Sequence, residues 1–140
     1  MPRARALAPP FRADPRRRYT IEELTGERYV YPNAAVVCGR PVYDRLVPTA
    51  VLNPLLVAEV QSPSSEAYDA GEKFDYHAAL ESLRAYVLVA QDRPRVEVRA
   101  RADAGADWTT TVTEDLDGQA EPLALGDALP LREVYRLVEF

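Results

Sequence analysis

Two residues stand out for the chemistry they could do: an acid inside a greasy run, and a single lysine fourteen positions later. Residues 55–61 read LLVAEVQ, so Glu59 interrupts a stretch that otherwise has the character of a buried strand. Burying an ionised carboxylate is costly or raises its pKa unless a cation or hydrogen-bond donors meet it. An arginine on the same sheet face would serve. So would a hard divalent cation such as magnesium, which prefers oxygen ligands and keeps several waters. Lys73 is the second residue. Of 17 basic residues it is the one lysine, in a chain that otherwise uses arginine for positive charge. It is therefore a candidate for a compact ammonium where a planar fork would not do, or simply a residue on a surface helix. Asp69 lies four positions earlier and shares its helix face. Carboxylate, cation and lysine together make a phosphodiesterase set. The cation neutralises the scissile phosphate and acidifies water, and the ammonium orients that water or stabilises the pentavalent state.

The elements that must bring these groups together can be read along the chain. Residues 28–38 (RYVYPNAAVVC) favour a strand, with Pro32 marking an end, an edge or a bulge. Residues 55–61 are a second strand, stopped by residues 62–65 (SPSS), which offer a helix cap. An amphipathic helix is expected over about 65–83, its first half weakened by Gly71. Residues 85–90 (AYVLVA) form a strand apolar on both faces, and the strict alternation of residues 96–101 (VEVRAR) implies one wet face. Residues 108–113 (WTTTVT) follow as another strand, and a short helix or strand falls near 131–138. The expected fold class is α/β: a mixed central sheet, one main helix packed on it and a C-terminal β-hairpin. Residues 1–27, rich in arginine and proline, are expected to be a disordered or loosely attached arm, and residues 28–140 the folded domain.

Composition narrows the function classes. With 140 residues and 15.6 kDa there is room for one core and no separate binding domain. The single cysteine, Cys38, excludes a disulfide framework and a cysteine-ligated zinc site, and reads as a small buried apolar residue. A serine-triad arrangement would have to use His77, the one histidine. No apolar run approaches the ~20 residues that span a bilayer, so no membrane partner is expected and the compartment is read as cytoplasmic. Net charge is -5, yet residues 1–18 carry six arginines against one acid, which leaves a body of net charge -10. Such a body argues against broad, sequence-independent binding to phosphates. It does not bar an acidic site that reaches a phosphate through a metal ion.

Four blocks in this order resemble the Uma-two family of restriction-endonuclease-like proteins, part of the PD-(D/E)XK nuclease superfamily and abundant in bacteria. They are residues 31–38 (YPNAAVVC), 59–65 (EVQSPSS), 69–74 (DAGEKF) and 83–89 (LRAYVLV). Residues 91–98 (QDRPRVEV) look like the hairpin found there, and the resemblance covers roughly 28–138. It implies a DNA endonuclease dependent on Mg2+ or Mn2+. Glu59 matches the metal-binding acid, and Lys73 the catalytic lysine, which in this family sits on the helix. Gln61 occupies the position of lysine in the superfamily's plain E-x-K motif, and the Val60 and Gln61 backbone would contribute oxygens. Asp69 and His77, on the face of Lys73, are supporting candidates, although helix packing explains His77 more simply.

Two departures qualify this expectation. Pro32-Asn33 aligns with the Pro-Asp of the superfamily name, so Asn33 would be a metal ligand without a charge, and both metal binding and catalysis should weaken. The alternative function is then a catalytically inactive nuclease fold that binds DNA or a protein. The chain also reads as N-terminally shortened against the family. A missing helical layer would expose apolar sheet surface and favour a homodimer.

Overall fold

β-Branched and aromatic runs set the strands, and glycine, proline and polar clusters end them. The computed structural model describes residues 4–6, 19–20, 29–30, 32–45, 48, 50–121, 124, 126 and 128–140. Its strands are β1 (Ala4–Ala6), β2 (Tyr19–Thr20), β3 (Tyr29–Val30), β4 (Ala34–Cys38), β5 (Leu56–Gln61), β6 (Ala85–Ala90), β7 (Val96–Ala100), β8 (Thr109–Thr113), β9 (Gln119–Ala120) and β10 (Leu129–Pro130). Six of them form the central sheet in the order β1-β4-β5-β6-β7-β8. Only β5 and β6 run parallel; the other neighbours are antiparallel. A parallel pair needs a crossover, and residues 62–84 supply it through helices α1 (Glu66–Ala70) and α2 (Glu72–Ala78). A last helix, α3 (Leu131–Val134), follows the β9–β10 pair. The architecture is the expected mixed α/β sheet with its helical layer and C-terminal strand pair.

β6 sits inside the sheet and explains why its sequence is apolar on both faces. Tyr86 and Leu88 join Val37, Val57, Tyr76, Leu80 and Leu83 on the helix side. Ala85 and Val87 join Leu56, Val96, Val98, Leu131 and Tyr135 on the other. Full burial of a side chain such as Leu83 contributes roughly 1.5–3 kcal/mol, so the two clusters hold the sheet between its layers.

Two expectations change. The single helix over 65–83 is two short helices, broken at Gly71 and finished at Ala78. At the break a Cβ on residue 71 would stand 3.0 Å from the Ala67 carbonyl, so glycine allows the close approach. The Asp69 carbonyl accepts from the Tyr86 hydroxyl at 2.7 Å, and the Ala70 carbonyl from Arg99 Nη1 at 2.6 Å. Hydrogen bonds that a continuous helix makes to itself are thus supplied by the sheet.

The alternating face of β7 is not a wet one. Val96, Val98 and Ala100 enter the second cluster, while Glu97, Arg99 and Arg101 turn toward the helices. Glu97 is 9% exposed and accepts from Arg95 at 3.1 Å and Arg99 at 2.8 Å. Arg101 donates to the carbonyls of Leu80, Leu83 and Ala104 at 2.7, 2.9 and 3.1 Å. The guanidinium thus brings a charged donor to carbonyls at helix and turn ends, that of Leu80 also accepting the Leu83 N–H at 3.1 Å.

Of the arm expected over 1–27, residues 4–6 and 19–20 are described. Its described residues lie in strands: β1 pairs with β4, and β2 with β3. The outer edge of β4 carries a row of backbone groups that seek a partner, and Ala4–Ala6 supply it. The remainder of that expectation lies outside the described residues.

Candidate active site

Strand alternation aims Glu59. In β5, Val57, Glu59 and Gln61 point to the helix side and Leu56, Ala58 and Val60 to the other. The parallel register sets Glu59 opposite Leu88 of β6. Its side chain is 2% exposed. α2 then brings Lys73 over it: Nζ lies 3.0 Å from Glu59 Oε2 and 3.9 Å from Asp69 Oδ1. Lys73 keeps 12% of its side chain exposed, so the pair has access to solvent from one side. The other oxygen, Glu59 Oε1, is buried and has no hydrogen-bond partner among the described residues.

Burial pushes the Glu59 carboxyl up to about 7; the Lys73 ammonium opposes that shift, and the negative charge of Asp69 adds to it. The backbone amide of Asn33 favours the ionised form. Asn33 follows Pro32 at the start of β4 and is exposed. Its Oδ1 accepts the Val60 N–H at 2.8 Å, extending the β4–β5 ladder one step past the Ala34–Ala58 pair. The acid, the ammonium and the amide therefore meet at one end of the sheet.

The remaining candidates take other positions. The Gln61 carbonyl accepts the Gln91 N–H at 2.9 Å, and its side-chain amide donates to the Glu66 carbonyl at 3.2 Å. Gln61 thus ties β5 to the turn that starts α1, and its backbone oxygen already serves the sheet. His77 is fully buried against Tyr86, with ring centroids 5.5 Å apart. Its Nδ1 lies 3.0 Å from the Lys73 carbonyl, which can only accept, so Nδ1 carries the proton. Burial lowers its pKa to about 4, and the ring is neutral at pH 7. Among the described residues no three His, Cys, Asp or Glu side chains are grouped to hold a metal.

Sequence reasoning missed Tyr86 and Arg99, which grip the carbonyls at the helix break. A signal existed for each: a phenol inside a buried run must bond its hydroxyl, and an arginine alternating with core valines needs acceptors.

The mixed sheet thus carries a glutamate on its inner strand with a lysine above it. The crystal structure of a "putative nuclease belonging to DUF820" from Anabaena variabilis superposes with TM-score 0.66 at 15% identity, over 95% of this chain and 68% of that one. At that identity the likeness concerns the fold. The family described as "Uma2: Putative restriction endonuclease" matches residues 3–133, and the chain belongs to it. Two Synechocystis proteins are also similar. The "Uncharacterized protein slr1290" is 31% identical over 120 residues, 86% of this chain and 61% of that protein. The "Uncharacterized protein sll1609" is 37% identical over 71 residues, 51% of this chain and 40% of that one. The chain spans about three-fifths of the length of the first of these relatives.

Proposed function

We propose that this protein is a divalent-metal-dependent endonuclease that hydrolyses DNA phosphodiester bonds, with Glu59 and Lys73 at its centre. The observation that carries the reading is the buried pair itself: an ammonium 3.0 Å from one oxygen of a glutamate whose other oxygen lacks a donor among the described residues. A buried acceptor left so is costly, and a cation would satisfy it. The donor set is all oxygen, which suits Mg2+ or Mn2+ over softer metals. Glu59, the second lone pair of Asn33 Oδ1 and the Val60 carbonyl would hold the ion, with waters completing its shell. When bound, it supplies the charge that neutralises the scissile phosphate and acidifies water. Lys73 orients the attacking water and offsets charge on the phosphate oxygens, and Asp69 keeps the ammonium over Glu59. His77, neutral and enclosed, takes no part in proton transfer. This reading places the protein with DNA in the cytoplasm, and a double-strand cut would call for two copies.

A second reading, an inactive nuclease fold that binds DNA or a partner protein, is favoured by Asn33. Its oxygen carries no charge and is already engaged by the Val60 amide. Plasmid nicking in Mn2+ separates the two. On the enzyme reading the native chain nicks, and Glu59→Ala and Lys73→Ala each lose at least about a hundredfold of the rate. On the second reading the native chain does not nick, while Asn33→Asp recovers cleavage by restoring a unit of ligand charge. Cleavage that survives Lys73→Ala would defeat the assignment of the site.

A further inference from the structure

We infer that Tyr86 and Arg99 are positioning residues that fix the reach of Lys73 to Glu59 by clamping the two carbonyls at the helix break. Lys73 is the second residue of α2, three positions after the end of α1, so its direction depends on how α2 departs from Gly71. That departure is held from the sheet. Tyr86 of β6 donates to the Asp69 carbonyl at 2.7 Å, and Arg99 of β7 to the Ala70 carbonyl at 2.6 Å. Both donors are themselves fixed. Tyr86 is fully buried, with its ring against Phe74 and His77 of α2 at centroid distances of 5.2 and 5.5 Å. Arg99 is bonded to Glu97 at 2.8 Å and lies 4.5 Å over the Phe74 ring. Phe74 adjoins Lys73 in α2, so the same two residues pin the break and the turn after it. Glu59 is fixed by β5 and Lys73 by this clamp, and a small shift at residues 69–71 opens the pair. Misplacement on the scale of 1 Å at a reacting centre costs orders of magnitude in rate.

The inference rests on reading Glu59 and Lys73 as the site, but it can be tested without activity because the chain holds one lysine. In protein grown with 13C- and 15N-labelled lysine, the Hε protons of Lys73 give an unambiguous signal. They are inequivalent when the side chain is held and averaged when it is not. The native chain is expected to show two resolved Hε resonances. In Tyr86→Phe and Arg99→Met, neither of which adds a lysine, these should collapse toward one averaged line. Arg132→Gln, at an exposed pair with Asp117, should change nothing. Nicking rate in Mn2+ should fall on the order of tenfold in the first two variants with the DNA half-saturation unchanged. A merely structural role would lower the melting temperature and leave the lysine lines of the folded variants split, and that result overturns the inference. If Arg99→Met does not fold, Tyr86→Phe, which removes one oxygen, decides alone. Absence of nicking in the native chain would count against the proposed function, and the lysine spectra would still judge the clamp.

Discussion

Glu59 lies under α2 and His77 belongs to it, and the two shift in opposite senses. Glu59 rises from 4.5 to about 7 in the fold, so the folded chain holds that proton more tightly than the unfolded one. Its contribution is present below about 4.5 and is lost as pH rises through 7. His77 falls from 6.5 to about 4, so its contribution is present above 6.5 and is lost as pH drops through 4. Between pH 4.5 and 6.5 the two partly cancel. Glu59→Gln should therefore gain stability relative to the native chain between pH 5 and 8, by at most about 3 kcal/mol. Its profile should be the steeper one on the acid side, where His77 acts unopposed. Melting curves at several pH values check this; parallel native and variant profiles would contradict it. Asn33→Asp should tighten Mn2+ binding by calorimetry while keeping the Val60 bond, because a carboxylate accepts the same N–H.

The elements depend on charged side chains that replace missing helical hydrogen bonds. Arg101 closes three carbonyls and lies 4.5 Å over the Trp108 ring. Arg101→Met should cost about 2 kcal/mol in urea unfolding, with unchanged m-value, by taking a charged donor from all three carbonyls, although that of Leu80 keeps the Leu83 N–H. A loss under about 0.5 kcal/mol would mean that water replaces the guanidinium. At the far end, the Tyr135 hydroxyl donates to the Ala90 carbonyl at 2.7 Å and accepts the Arg95 N–H at 3.1 Å. It ties the residue after α3 to the β6–β7 turn, which orders the layer opposite the site. The Glu97 carboxylate between Arg95 and Arg99 does similar work at the other face.

At the scale of the molecule, the sheet has two ends and an acidic surface. Removing residues 1–18 deletes β1 and leaves the β4 edge open. The truncated chain is expected to melt lower and to self-associate, seen as an earlier and concentration-dependent elution volume; an unchanged monomer would show that β1 is dispensable. A homodimer of the intact chain is a separate expectation that the same experiment reads. With net charge -5, DNA binding should be weak, should require the divalent cation, and should show a shallow dependence on salt. Filter binding with and without Mg2+ tests this, and tight metal-free binding would argue for the purely binding role. No helix among the described residues is long and apolar enough to cross a membrane.

The strands β4 to β8, their order along the chain and the unusual setting of Glu59 and Lys73 were legible because local signals are strong there. LLVAEVQ and AYVLVA are buried runs bounded by breakers, and an acid or a lone lysine in such company is conspicuous. Three features belonged to tertiary structure alone. Whether β7's charges face water or a helix depends on which layer covers that face, and the alternation of residues 96–101 is the same in either case. The helix broke because Tyr86 and Arg99, distant in sequence, could satisfy carbonyls that a local reading assigns to the helix itself. The state of Glu59 was decided by depth: the sequence put an acid among apolar neighbours, and only the packing of α2 determined that an ammonium reaches one of its oxygens while burial holds its pKa near 7.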